Sequence, residues 1–143
     1  MTEAVIDIAQ DADVTYRCLC DIRSVPRWVP GVAKVEVLEA DEHERALVAR
    51  FISMPARASV SYSVRYVYED DARRMRWYPL ERGERTLEGQ AEVTDLGDGR
   101  SRLRYQMSMW NAASIPMWAR AALKQDGPKL TVEAFRRWVE RQG

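Results

Sequence analysis

The segment Asp21-Ile22-Arg23-Ser24-Val25-Pro26-Arg27-Trp28-Val29-Pro30-Gly31-Val32 most constrains the fold of this chain. Proline lacks a backbone donor and pushes the residue before it away from helical geometry, so Pro26 and Pro30 forbid one continuous helix through the segment. Trp28 lies between them. A ring of that size held in a kinked segment either plugs a core or lines a cavity.

On either side the hydrophobic period differs. Val5-Ile6-Asp7-Ile8 reads as a short strand. Acidic Asp11 and Asp13 suit a helix start, and Val14, Cys18, Leu19 and Ile22 recur at helical steps, which predicts a helix over 12–22. Beyond the proline segment, Val32–Leu38 and Leu47–Ile52 read as strands. Ser59–Tyr68 alternates most cleanly, with Val60, Tyr62, Val64, Tyr66 and Tyr68 on one face and Ser59, Ser61, Ser63 and Arg65 on the other. Met75–Tyr78, Thr86–Leu96 and Arg102–Met109 follow as strands. Gly97-Asp98-Gly99 marks a tight hairpin between the last two.

The C-terminal stretch returns to helical spacing, through Trp118 and Ala122 and then Leu130, Ala134, Phe135, Trp138 and Val139. A short helix near 116–125 and a longer one near 128–141 are expected, with Pro128 in the first turn of the second. Hairpin-linked strands followed by one helix make an α+β domain. A curved antiparallel sheet of about seven strands, with two short helices after the first strand, can then wrap around the long C-terminal helix. Residues 1–143 form one domain on this reading.

Composition narrows the function classes. The 22 basic residues balance 22 acidic ones, so no net field favours nucleic acid or an anionic membrane. No apolar run reaches the length of a membrane span, and the N-terminus has no basic-then-apolar leader pattern, so no stable membrane insertion and a cytoplasmic location are expected. Cys18 and Cys20 point to different faces of one helix and cannot bridge easily, and His43 is the single histidine. No metal site and no cofactor are expected from such a set.

The order and spacing of these segments resemble the START-like superfamily, also called SRPBCC, with the helix-grip fold, and in particular its polyketide cyclase/dehydrase-type members. The resemblance spans essentially the whole chain. It rests on Val5–Ala9, Leu19–Ile22, Pro26–Val32, Val35–Leu38, the Leu96–Leu103 hairpin and Ile115-Pro116-Met117-Trp118 before the long helix. It implies a deep apolar pocket between sheet and helix that holds lipids, quinones, sterols or polyketides.

Aromatase/cyclase members of that superfamily carry an inward-facing Arg on a middle strand. Here the alternation places Tyr62, Val64 and Tyr66 inward and Arg65 outward. Matching the family's turn at Asp70–Arg74 shifts the register by one residue, which flips every side chain of the strand.

Trp28, Phe51, Tyr62, Tyr66, Trp77, Tyr105, Met107 and Trp118 are the candidate ligand-binding residues. Each also has a plain packing role available, since aromatics and Met fill cores. Buried phenols such as Tyr62 and Tyr66 need partners and can orient a ligand carbonyl or hydroxyl. Acid–base chemistry needs a titratable group inside the cavity. Tyr62, Tyr66, Arg65 and Glu92 are the candidates, with Glu88 and Glu92 on what reads as a solvated strand face. His43 falls in a turn.

Binding of a small hydrophobic or aromatic ligand of polyketide, lipid or quinone type, without turnover, is the leading expectation. Cyclase/dehydrase-like turnover is the competing one. A further alternative is a coenzyme-Q-binding-type chaperone or ribosome-associated factor without catalytic activity. A monomer or homodimer is compatible with any of these.

Overall fold

A computed structural model describes residues 2–29, 32–53, 60–80, 86–110 and 127–142. Seven strands form one antiparallel sheet: β1 (Thr2–Ile8), β2 (Val32–Ala40), β3 (Ala46–Ser53), β4 (Val60–Glu69), β5 (Arg74–Pro79), β6 (Thr86–Gly97) and β7 (Arg100–Trp110). The spatial order is β1-β7-β6-β5-β4-β3-β2. The six strands β2 to β7 form a continuous meander, and β1 closes onto β7. Among the described residues three helices accompany it: α1 (Ala12–Cys20), α2 (Val25–Trp28) and α3 (Gly127–Val139). The sheet is curved and the architecture is the α+β helix-grip arrangement.

Local chemistry explains the boundaries. The Asp11 carboxylate accepts from the backbone N–H groups of Asp13 and Val14, capping α1. The helix ends earlier than 22. Asp21 leaves helical geometry at ψ 79°, and Ile22–Ser24 continues as a tighter 3-10 turn whose Ser24 hydroxyl donates to the Asp21 carbonyl. Pro26 does not break the helix that follows. It lies in the first turn of α2, where its missing donor costs nothing. The β6–β7 turn has positive φ at Asp98 (55°) and Gly99 (71°), the geometry of a primed two-residue hairpin. The expected helix near 116–125 lies outside the described residues, while the expected 128–141 helix is α3, one residue longer at its start and ending at Val139.

Register fixes the two faces of the sheet. Val64 pairs with Ala49, and Tyr66 pairs with Trp77, all four buried. Between them Arg65 is exposed and lies 4.0 Å from Glu39. The inner face therefore carries the apolar set, as the alternation predicts, and not the register that would turn Arg65 inward.

The core joins this face to the helices through Ile8, Leu19, Phe51, Val64, Trp77, Val93, Leu103, Val132, Phe135 and Val139. Helix α3 lies chiefly along β1 and β7 and also meets α2, where Trp28 and Phe135 pack with ring centroids 4.9 Å apart. Arg27 stacks over Trp138 at 5.9 Å, adding a second tie between α2 and α3. Helix α1 packs over β6 and β7, where the fully buried hydroxyls of Thr15 and Ser101 bond at 2.9 Å.

Candidate functional site

Two cross-strand rows dominate the inner face. Tyr66, Trp77, Gly89 and Met107 stand opposite one another on β4, β5, β6 and β7. One pleat along, Tyr68, Met75, Ala91 and Tyr105 form the next row. Cross-strand neighbours on one face lie close enough to pack directly. The Tyr66 and Tyr68 rings stack at 6.2 Å, and Trp77 meets Tyr105 at 5.3 Å. The Tyr105 hydroxyl reaches the Met107 sulfur at 3.9 Å. Phe51, paired with Tyr62 on β4, extends the aromatic lining toward β3 and is itself buried.

From Val64 to Met107, the described inward positions of β4 to β7 carry Val, Tyr, Met, Trp, Pro, Gly, Ala, Leu, Ser and Asp. Among them the one ionisable group besides tyrosine is Asp95, exposed beside Ser101 at the β6–β7 hairpin end and away from the aromatic rows. Glu92 was a candidate for acid–base work, but its carboxylate sits on the outer face, 2.8 Å from Arg74. Arg74 also bonds Glu69 at 2.9 Å, so Glu92 belongs to a surface ion ladder across β4, β5 and β6. Arg65 is on the same outer face. His43 is exposed in the β2–β3 turn. Among the described residues no cluster of His, Cys, Asp or Glu could hold a metal ion, and Cys18 and Cys20 are free thiols.

Of the other candidates, Trp28 is half-buried at the end of α2, where its indole N–H donates to Ser24 at 3.3 Å while its ring packs on Phe135. The backbone of Tyr62 pairs with Phe51, but its side chain lies outside the described part of the structure, as does the whole of Trp118. The structure thus gathers Phe51, Tyr66, Trp77, Tyr105 and Met107 on one face and packs Trp28 of α2 against Phe135 of α3.

A polar cluster that the chain's spacing does not reveal closes one end of this face. Arg45 donates from Nη1 to Asp70 (2.8 Å) and from Nε to Asp41 (2.9 Å), and its guanidinium lies 4.3 Å from the Tyr68 ring centroid. The Tyr16 hydroxyl donates to the same Asp70 carboxylate at 2.8 Å, and the Tyr68 hydroxyl donates to the Ala46 carbonyl at 2.6 Å. Burial, then the neighbouring Asp70, push the Tyr16 phenol up, and burial chiefly pushes the Cys20 thiol up to about 11. Both groups stay protonated near neutrality. The cluster ties α1 to the β2–β3 and β4–β5 turns.

Asp70 titrates below the usual carboxylate range because Arg45 and then Tyr16 hydrogen-bond its charged form. The unfolded chain therefore binds this proton more readily than the folded one. The contribution is complete above the ordinary aspartate pKa of about 4 and is lost as the pH falls through the lower folded value. Urea midpoints measured from about pH 6 down to about pH 3 should fall with acidity, and Asp70→Asn should flatten part of that fall. The remainder is shared by Asp7 and Glu3, which Arg102 and Arg104 hold down in the same way, and by Asp41, where burial is outweighed by hydrogen bonds from the Arg45 backbone and guanidinium. Identical profiles for wild type and Asp70→Asn would rule the cluster out.

A family model for polyketide cyclase/dehydrase and lipid transport proteins matches residues 2–140. The chain belongs to this family. No curated protein sequence matches significantly. Among solved structures, a START superfamily protein from Mycobacterium smegmatis superposes with a TM-score of 0.82 at 14% identity, covering 99% of this chain and 98% of that one. The aromatase/cyclase Zhui from Streptomyces gives 0.80 at 19% identity, covering 99% and 93%. A STAR-related lipid transfer protein from Xanthomonas axonopodis gives 0.68 at 20% identity, covering 96% and 84%. At these identities the likeness is one of fold. For this cyclase/dehydrase and lipid transport family member, the inner-face aromatics are therefore weighed on their own geometry. No described helix is long and apolar enough to cross a membrane.

Proposed function

We propose that this chain binds a small hydrophobic or aromatic molecule, of polyketide, lipid or quinone type, between the inner face of the sheet and α3, without turning it over. The observation that carries this reading is the aromatic inner face of β4, β5 and β7, whose described strand positions bear no ionisable side chain except tyrosine, the Arg45–Asp70 cluster standing only at its Tyr68 end. Helix α3 makes its main contacts with β1, β7 and α2, away from the central strands that bear Tyr66 and Trp77. That division suits a helix that grips a ligand against the sheet and does not fill the space itself.

The same composition disfavours acid–base catalysis, which needs a group of usable pKa within reach of the substrate. The family's named chemistry and lipid transport, together with the lipid transfer and aromatase/cyclase proteins of like fold, support a hydrophobic ligand.

Native mass spectrometry of the purified protein, with organic extraction of whatever it releases, tests the reading. A co-purifying apolar molecule, or uptake from a mixed library of such molecules, supports it. A chain that carries nothing and takes up nothing overturns it. Once a ligand is known, Tyr66→Phe and Tyr62→Phe should each weaken binding by about two- to tenfold, the loss of one hydrogen bond. Arg65→Ala, on the outer face, should leave affinity within about twofold. The reverse pattern would place the ligand elsewhere.

A further inference from the structure

Trp77 and Tyr105 stand on β5 and β7, with β6 between them. Strands two apart in a sheet are separated by about 9.6 Å, yet these ring centroids are 5.3 Å apart. The rings therefore meet across β6, with the Trp77 indole lying over it. They can do so because the inward positions of β6 beneath them are Gly89 and Ala91, the smallest residues available.

The fit at Gly89 is close. A Cβ there would stand 2.6 Å from Trp77 Cζ2 and 2.9 Å from Trp77 Cε2, and would also meet the Gln106 carbonyl oxygen. The indole thus rests on the β6 backbone itself. Only 7% of Trp77 is exposed, and Tyr66 and Met75 flank it.

Resting on the binding reading above, we propose that Trp77, seated on Gly89 and bridged to Tyr105, is the specificity-determining floor of the site and sets the greatest length of ligand it admits. The trough over Gly89 and Ala91 is depth that the sheet offers and the two rings occupy. Replacing the indole by a smaller side chain returns that depth to the ligand. Adding a side chain at 89 does the opposite, because the indole must move off the sheet toward the ligand.

The test uses a homologous series of saturated fatty acids, decanoic to octadecanoic, titrated against wild type, Trp77→Leu and Gly89→Ala. While each added methylene is still buried, binding tightens by roughly fourfold, and the gain stops where the floor is reached. The plateau should come at a longer acid in Trp77→Leu and at a shorter one in Gly89→Ala. A variant that is only destabilised lowers every affinity together and leaves the plateau in place, so the plateau separates specificity from a structural role.

Gly89→Ala also meets the Gln106 carbonyl. If it does not fold, the Trp77→Leu plateau alone decides the matter. An unchanged plateau in Trp77→Leu overturns this inference while leaving the binding reading intact. Wild type that binds none of the acids overturns it as well, and the mixed-library mass spectra then show whether the binding reading falls with it.

Discussion

Phe135→Ala is expected to lower the stability of this protein by about 3–5 kcal/mol, the usual cost of removing a large aromatic side chain from a packed core. Phe135 is fully buried on α3 and meets the Trp28 ring at 4.9 Å. Its removal would empty the ring contact between α2 and the C-terminal helix, leaving Arg27 over Trp138 as the other tie between them. Typical domains have only about 5–15 kcal/mol in total, so the loss is a large share of what holds the fold. Leu130→Ala supplies the comparison. Leu130 belongs to the same helix but is 49% exposed, and its truncation should change stability by less than about 0.5 kcal/mol. Urea denaturation of both variants reads the difference. Equal shifts would mean that α3 does not dock through the face that carries Phe135.

The sheet was legible from the sequence because its signals are local. Period-two alternation in Ser59–Tyr68 reports which face is buried, and it sets Tyr66 inward and Arg65 outward as the register does. Gly97-Asp98-Gly99 names its own turn, since a two-residue hairpin needs positive φ at Asp98 and Gly99. Helix ends were less legible. The helical period of Val14, Cys18 and Ile22 continues through a 3-10 turn as smoothly as through an α-helix, so α1 read two residues too long. Pro26 and Pro30 forbid one continuous helix, and α1 and α2 are indeed separate; that Pro26 itself sits in the first turn of α2 depends on where that turn begins, which the sequence does not mark.

The site divides in the same way. Which strand residues face inward follows from alternation, so Phe51, Tyr66, Trp77, Tyr105 and Met107 could be named together. How their rings pack could not. The approach of Trp77 to Tyr105 depends on Gly89 lying opposite in β6, a match made by strand register and invisible in any single window. The Tyr16–Arg45–Asp70 cluster was missed for a related reason. Its members lie on one helix and two turns, with 54 residues between Tyr16 and Asp70, and each alone reads as a solvated surface residue. Trp28 stands out in the sequence as a large ring in a kinked segment, and its contact with Phe135 gives it a packing role.

Thr15→Val should cost about 1–3 kcal/mol although it changes the shape of the side chain very little. Thr15 and Ser101 are both fully buried, and their hydroxyls bond each other at 2.9 Å across the α1–β7 contact. Valine removes one partner and leaves the Ser101 hydroxyl buried without it, and the loss of its solvation is then uncompensated. Removing both hydroxyls takes that penalty away. The double variant Thr15→Val/Ser101→Ala should therefore recover most of the stability lost in Thr15→Val, giving a coupling of at least about 1 kcal/mol in the double-mutant cycle. Denaturant midpoints of the four proteins measure it. If the double variant loses the sum of the two single losses, the pair is not acting as a unit, and α1 is held on β7 by its apolar face alone. If the coupling is found, the hydroxyl pair works as a register pin, because only one placement of α1 along β7 lets both buried groups be satisfied.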